Sequence, residues 1–198
     1  MSCIKIVFFC IMMILTGCQS NIASKYQLEV VTVAQFEAFV DATDYITDAE
    51  KYGWSIVQQD VFNYQKVYGA TWRKPDGLHA PSSKNLPVTQ VSYNDAMAYC
   101  NWSGTRLPSY SEYWQFTQND HRLIVAQNNL PISPVSEVNT VGNVWEITSS
   151  QRGAEVRLAG GSLYCSPTVC NGMSAARELY VDTQTGNIHI GFAVLHEN

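Results

Sequence analysis

An α+β domain with much irregular backbone is what this sequence predicts, and three observations carry the prediction. Stretches with apolar residues at helical spacing begin on capping residues at Thr32, Ser92 and Ser109. Short runs of β-formers lie toward both ends of the chain. Neither an internal repeat nor a βαβ alternation links them, so a doubly wound parallel sheet is excluded.

The elements follow in chain order. Tyr26 to Val31 reads as a strand ending at Thr32. Thr32 and Gln35 then form a capping box, and Phe36, Phe39 and Val40 fall on one face of a helix running to about Ala42. From Thr47 to Leu86 the periodicity is poor, with many Gly, Asp, Pro and aromatic residues. The stretch reads as a long functional loop, because its tryptophans and tyrosines argue against disorder.

Pro87 to Val91 reads as a strand. Ser92 caps the next helix, with Ala96, Tyr99 and Cys100 inward and Gly104 as its stop. Ser109 and Glu112 box the third helix, which turns Tyr113, Phe116 and Thr117 inward. After a loop-rich segment, Val144–Thr148, Glu155–Leu158 and Ile188–Val194 read as closing strands. Trp72, Trp102, Trp114 and Trp145 read as core.

With 198 residues the chain is long enough for one domain with a real core. A formal net charge of −5, a pI near 5.3 and no Lys/Arg run exclude a nucleic-acid partner. Residues 1–17 carry a short basic start and an apolar run, Ile6 to Leu15, too short to span a bilayer. Leu15-Thr16-Gly17-Cys18 resembles a bacterial lipobox, which implies a lipid-anchored envelope protein with Cys18 lipidated. Gln19 after that cysteine implies the periplasmic face of the outer membrane. The division expected is therefore a signal peptide at 1–17, a lipidated tether at 18–25 and one domain at 26–198. Cys100, Cys165 and Cys170 are the thiols of the domain, in an oxidising compartment.

Cys165 and Cys170 stand five positions apart behind Gly160-Gly161-Ser162. A strand would point them to opposite faces and a helix would splay them, but a turn can join them. Pro167 and the two glycines favour such a turn. Two thiols held this way can form a disulfide, hold a soft metal or act as a redox pair. Zinc is disfavoured because no second Cys/His pair lies near in sequence. Thiol exchange of the thioredoxin kind is disfavoured because no C-x-x-C occurs.

Several stretches, in order, resemble the formylglycine-generating (sulfatase-modifying factor) family. They are Val31–Phe36, Gly69–Gly77, Pro87–Ala96 with Ala98–Cys100, Arg106–Ser109 with Glu112, Gly142–Glu146, Gly160–Ser162 and Gly191-Phe192. The resemblance implies a C-type-lectin-like fold with little regular secondary structure from about Tyr26 to Leu195. It also implies catalytic residues at Cys165, Cys170 and Ser162, with Cu(I) on the two cysteines and a cysteine-containing, sulfatase-like peptide or protein as substrate. Calcium is implied at Asn139, Gly142, Val144 and Glu146, the alternative there being a turn with Glu146 paired to an arginine. Cys100 is expected to be a buried free thiol, because Ala175 stands where relatives carry its partner.

Departures from the family pattern point the other way. Val169 and Gly172-Met173-Ser174 replace groove residues of the oxidases, Ser166 replaces a histidine, and the N-terminal hairpin is missing. The competing expectation is a non-catalytic module that binds an envelope protein or glycan. His79, His121, His189 and His196 show no facial-triad spacing, which argues against the iron-dependent relatives. A monomer is expected.

Overall fold

The computed structural model describes residues 25–165 and 170–198. The leader, Cys18, Ser166 and Val169 lie outside the described residues. A five-stranded sheet organises the rest, in the order β1-β7-β4-β5-β6. Its strands are β1 (Tyr26–Val30), β4 (Trp145–Arg152), β5 (Glu155–Ala159), β6 (Tyr180–Asp182) and β7 (Ile190–Glu197). All pairings are antiparallel except β4 with β7, where Glu146 lies opposite Gly191. The first and last strands therefore pair with each other, Tyr26 opposite Glu197. A separate hairpin joins β2 (Trp54–Gln58) to β3 (Tyr64–Tyr68).

The three expected helices form where their caps place them: α1 (Val33–Thr43), α3 (Tyr93–Ser103) and α4 (Tyr110–Thr117). Thr32, Ser92 and Ser109 each accept from the N3 backbone, and the N3 side chain answers in every case. Helices α1 and α3 cover one face of the sheet. Phe36 is fully buried at the centre, edge-on to Phe39, Trp72 and Phe192 with ring centroids 5.3, 5.3 and 6.3 Å away. Cys100 is buried and free, as expected. Helix α4 packs around Tyr113, beside Val141 and Ala159.

The expectation for 47–86 is corrected. This segment holds α2 (Asp48–Tyr52), β2 and β3. Thr47 and Glu50 form a capping box, and Gly53 ends α2 in the left-handed region at φ 73°. The hairpin turn is closed by Asp60, whose Oδ1 accepts from the amides of Phe62 and Asn63. The strand expected at Pro87–Val91 is also absent: only Pro87 bridges to Thr32. Gln90 interrupts it at φ 61°, and its buried Nε2 donates to the carbonyls of Pro75 (2.6 Å) and Ile56 (3.0 Å). Trp102 is 43% exposed rather than core. Two further elements, β6 and α5 (Val125–Asn128), were not anticipated.

Helices α2 and α3 cap each other as well as themselves. Ser92 Oγ donates to Asp48 Oδ2 at 2.7 Å, and the Asp48 amide donates to Asp95 Oδ1 at 3.0 Å. Tyr45 Oη adds a third donor to Asp95. Burial, aided by the nearby Asp48 charge and opposed by these donors, lifts the Asp95 carboxyl to about 6.

Candidate functional site

The turn after β5 brings Cys165 and Cys170 together, and they are joined as a disulfide. Gly160 and Gly161 adopt φ 87° and 76°, conformations that side chains other than hydrogen rarely tolerate. Close approach adds a second constraint. A Cβ on Gly160 would lie 2.3 Å from Tyr113 Oη, and one on Gly172 would lie 2.8 Å from Cys165 Sγ and 2.7 Å from Trp145 Cη2. The Trp145 ring and Gly172 thus form the wall against which Cys165 is buried. Ser162 is buried as well, and its carbonyl accepts from the Cys165 amide at 2.7 Å.

A histidine that sequence reasoning passed over completes this region. His189 stacks on Tyr164, the residue before Cys165, with ring centroids 4.4 Å apart. Its Nε2 lies 3.1 Å from the Gln58 carbonyl; a carbonyl only accepts, so Nε2 carries the proton. Nδ1 is then a bare lone pair, buried without a partner among the described residues. Burial holds the imidazole down to about 4, so it is neutral at physiological pH. Its position two residues ahead of Gly191-Phe192 was the available signal: the parallel β4–β7 pairing sets Trp145 N on the His189 carbonyl at 2.8 Å.

Of the four residues expected to hold calcium, Asn139, Gly142 and Val144 lie on the loop into β4 and Glu146 lies in β4 itself; that loop makes two hydrogen bonds with the cysteine turn. Gly142 N donates to Gly160 O at 3.0 Å, and Leu163 N donates to Asn143 O at 3.1 Å. Glu146 is buried, and neither carboxylate oxygen has a hydrogen-bond partner among the described residues. That overturns the alternative pairing with an arginine. Burial pushes its carboxyl up to about 8; the Tyr113 hydroxyl beside it opposes the shift in part, without forming a hydrogen bond. A cavity of about 10 Å3 is bordered by Asn139, Asn143, Val144 and Glu146, room for one small particle.

The donor set suits a hard cation. Asn139 Oδ1 accepts from Val141 N, and the Gly142 carbonyl accepts from Ala126 N, each using one of its two lone pairs. Gly142 does not border the cavity, so the ligands there would be the free Glu146 oxygens and Asn139 Oδ1, to be completed by other oxygens or water. No cluster of three or more His, Cys, Asp or Glu that could hold a metal occurs among the described residues, so the site would rest on one carboxylate. The cysteine pair is the other candidate. Its two α-carbons are 4.9 Å apart, so on reduction both thiolates can reach one soft ion.

Comparison with known proteins places this geometry. The model of the sulfatase-modifying factor enzyme 1-like domain matches residues 23–120. The inactive C-alpha-formylglycine-generating enzyme 2 of Bos taurus is 30% identical, over 79% of this chain and 69% of the relative. This chain belongs to the formylglycine-generating enzyme family. The formylglycine-generating enzyme of Mus musculus is 32% identical over 60% of this chain, but the match covers 46% of that protein. The chain spans about half the length of such relatives. The structure of PvdO from Pseudomonas aeruginosa superposes with a TM-score of 0.62, over 86% of this chain and 80% of that one. At 15% identity that likeness shows the fold alone, and it agrees with the α+β architecture expected.

Proposed function

We propose that this family member is a lipid-anchored envelope protein that oxidises a cysteine of an extended exported polypeptide to formylglycine, with Cys165 and Cys170 as its working pair. The observation that carries the reading is the meeting of these two sulfurs against Trp145 and Gly172. Relatives at 31–32% identity bear the name of that activity, which supports it. Reduction of the pair would leave two thiolates able to hold Cu(I), which when bound would supply the electron transfer to O2. The residues of this chain do the rest. Gly160 and Gly161 bend the turn so that both sulfurs face one point, and the Trp145 ring shields Cys165. His189, neutral and fixed by Gln58, offers a proton acceptor at the Tyr164 side. Ca2+ at Asn139, Gly142, Val144 and Glu146 would set the loop that leads into Trp145 at the start of β4.

The test is Cu(I) binding by the reduced protein, followed by incubation of a cysteine peptide in air and mass spectrometry for loss of its sulfur. One-to-one binding that disappears in Cys165→Ser and in Cys170→Ser, with peptide conversion, is the expected result. A second reading has its own observation: the two cysteines are already bonded, as a staple would be. A relative named as inactive supports that reading of a lectin-like binding module. Under it, the reduced protein binds no copper and the peptide returns unchanged.

A further inference from the structure

The β2–β3 hairpin stands apart from the main sheet, and its two edges are not equivalent. In an antiparallel pair the residues alternate between exchanging hydrogen bonds and pointing their backbone groups outward. Gly69 N on Gly53 O and Gln59 N on Asn63 O fix the phase. Ser55 with Val67 and Val57 with Gln65 are then the bonded pairs, so Ile56 and Gln58 face outward on β2. That edge is used. Ile56 N donates to Gly186 O, Ile188 N donates to Ile56 O, and His189 Nε2 donates to Gln58 O.

By the same phase Tyr64, Lys66 and Tyr68 turn their N–H and C=O groups out on β3; no described strand pairs with that side, and Gly77 comes close to it at the Tyr68 carbonyl, leaving the Tyr64 and Lys66 groups as the open part of the edge. The edge is a template for one more strand. Its side chains are also exposed: Tyr64 is 69% and Tyr68 73% accessible, and Phe62 at the hairpin tip is 81% accessible. Lys66 sits between them over the Trp54 and Tyr68 rings, 4.1 and 5.1 Å from the centroids. One cation flanked by rings selects an acidic side chain directly opposite, with apolar neighbours two residues to either side.

We propose that the outer edge of β3 takes an extended peptide with an acidic residue opposite Lys66 as a third strand, and that this strand leads the bound chain toward the cysteine pair. Continuity supplies the second half of the argument. Tyr64 pairs with Gln58, Gln58 holds His189, and His189 stacks on Tyr164 next to Cys165. The Tyr64 end of the edge is therefore the end nearer the cysteines. The inference deepens the proposed function and rests on its reading of an extended polypeptide substrate.

The test uses the purified full chain and a fluorescein-labelled nine-residue peptide of alternating valine and threonine with a central glutamate, read by anisotropy. Controls are the same peptide with a central lysine and one N-methylated at alternate residues. Lys66→Pro removes an outward N–H while leaving the β2 ladder intact, and Lys66→Thr removes the charge alone. Expected are at least tenfold weaker binding of the glutamate peptide to Lys66→Pro than to Lys66→Thr, loss of binding on N-methylation, and a reversed glutamate–lysine preference in Lys66→Glu. Unchanged melting temperatures of the variants confirm the fold. Equal binding by Lys66→Pro and Lys66→Thr, or of the methylated peptide, overturns the proposal. The Cys165→Ser/Cys170→Ser protein separates the two readings. If it binds peptide through the edge and the wild type does not oxidise cysteine, only the oxidase reading falls. If the wild type oxidises cysteine and the edge variants bind normally, only the edge reading falls.

Discussion

Replacing Glu146 by glutamine tests whether its buried carboxyl waits for a cation. Burial raises its pKa from 4.5 to about 8, while the unfolded chain keeps the ordinary value. Between those values the folded state holds a proton that the unfolded state has released. The metal-free protein therefore loses stability as pH rises from about 4.5 and stops losing it above about 8. At 1.36 kcal/mol per unit, the loss from this one group is about 3 kcal/mol at pH 7. For a chain of this size that is a fall in melting temperature of roughly 6–12 °C. Glu146→Gln abolishes this slope but leaves an uncharged amide in the same cavity, so the absolute stabilities are not the readout. The readout is the wild-type minus variant difference in melting temperature from pH 5 to pH 8, in chelator.

Calcium should then act on the wild type alone. A cation at 100 times its dissociation constant adds about 2.7 kcal/mol, and because it needs the ionised carboxylate its effect grows with pH. The expected outcome is a melting temperature raised by Ca2+ at pH 8, less at pH 5, and not at all in the glutamine variant. Parallel pH profiles for the two metal-free proteins would refute the reasoning at its root, since Glu146 would then have a partner. Divergent profiles with no response to Ca2+ would leave the buried carboxyl standing and remove the ion.

Three other expectations follow from the same geometry. Cys165→Ser/Cys170→Ser opens a six-residue loop and should cost about 2 kcal/mol by loop entropy; denaturant melts of the wild type with and without reductant should show the same difference. Asp95→Ala strips the Asp48 amide and the Tyr45 hydroxyl of their acceptor and breaks the α3 capping box, and should cost about 2–4 kcal/mol by urea midpoint. Gly160→Ala puts a methyl 2.3 Å from Tyr113 Oη and should cost more than about 2 kcal/mol. Tyr113→Phe removes the nearest clashing atom, so the double variant should recover at least about 1 kcal/mol in a double-mutant cycle.

What the sequence made legible, and what it hid, divides along a physical line. Capping boxes report local chemistry, and all three that were read opened helices where expected. A fourth, Thr47 with Glu50, was written as plainly but went unread because α2 has too few residues to show periodicity. Strand β2 was obscured for a related reason: Trp54, Ile56 and Gln58 leave an aromatic, an aliphatic and an amide on one face, so polarity does not alternate. Pro87–Val91 erred the other way. Its β-formers are real, but Gln90 must turn to φ 61° to cap Pro75 and Ile56, contacts that only the fold supplies.

The candidate site follows the same rule. Gly160 and Gly161 announced a bent turn, and the turn is there, because positive φ is a property of a single residue. The empty lone pairs of Glu146 and the bare Nδ1 of His189 are absences created by burial, and no residue pattern records an absence. Glu146 stands on β4 and His189 in the turn just before the adjacent β7, since Trp145 N binds the His189 carbonyl and Glu146 pairs with Gly191. The β4–β7 register is thus the structural fact that joins the loop ahead of β4, the Trp145 wall and the histidine. Gly191 protects it: a Cβ there would lie 2.3 Å from the Val88 carbonyl. A substitution at Gly191 should therefore disturb the responses to calcium and to reductant together, although Gly191 offers no side-chain ligand to either ion.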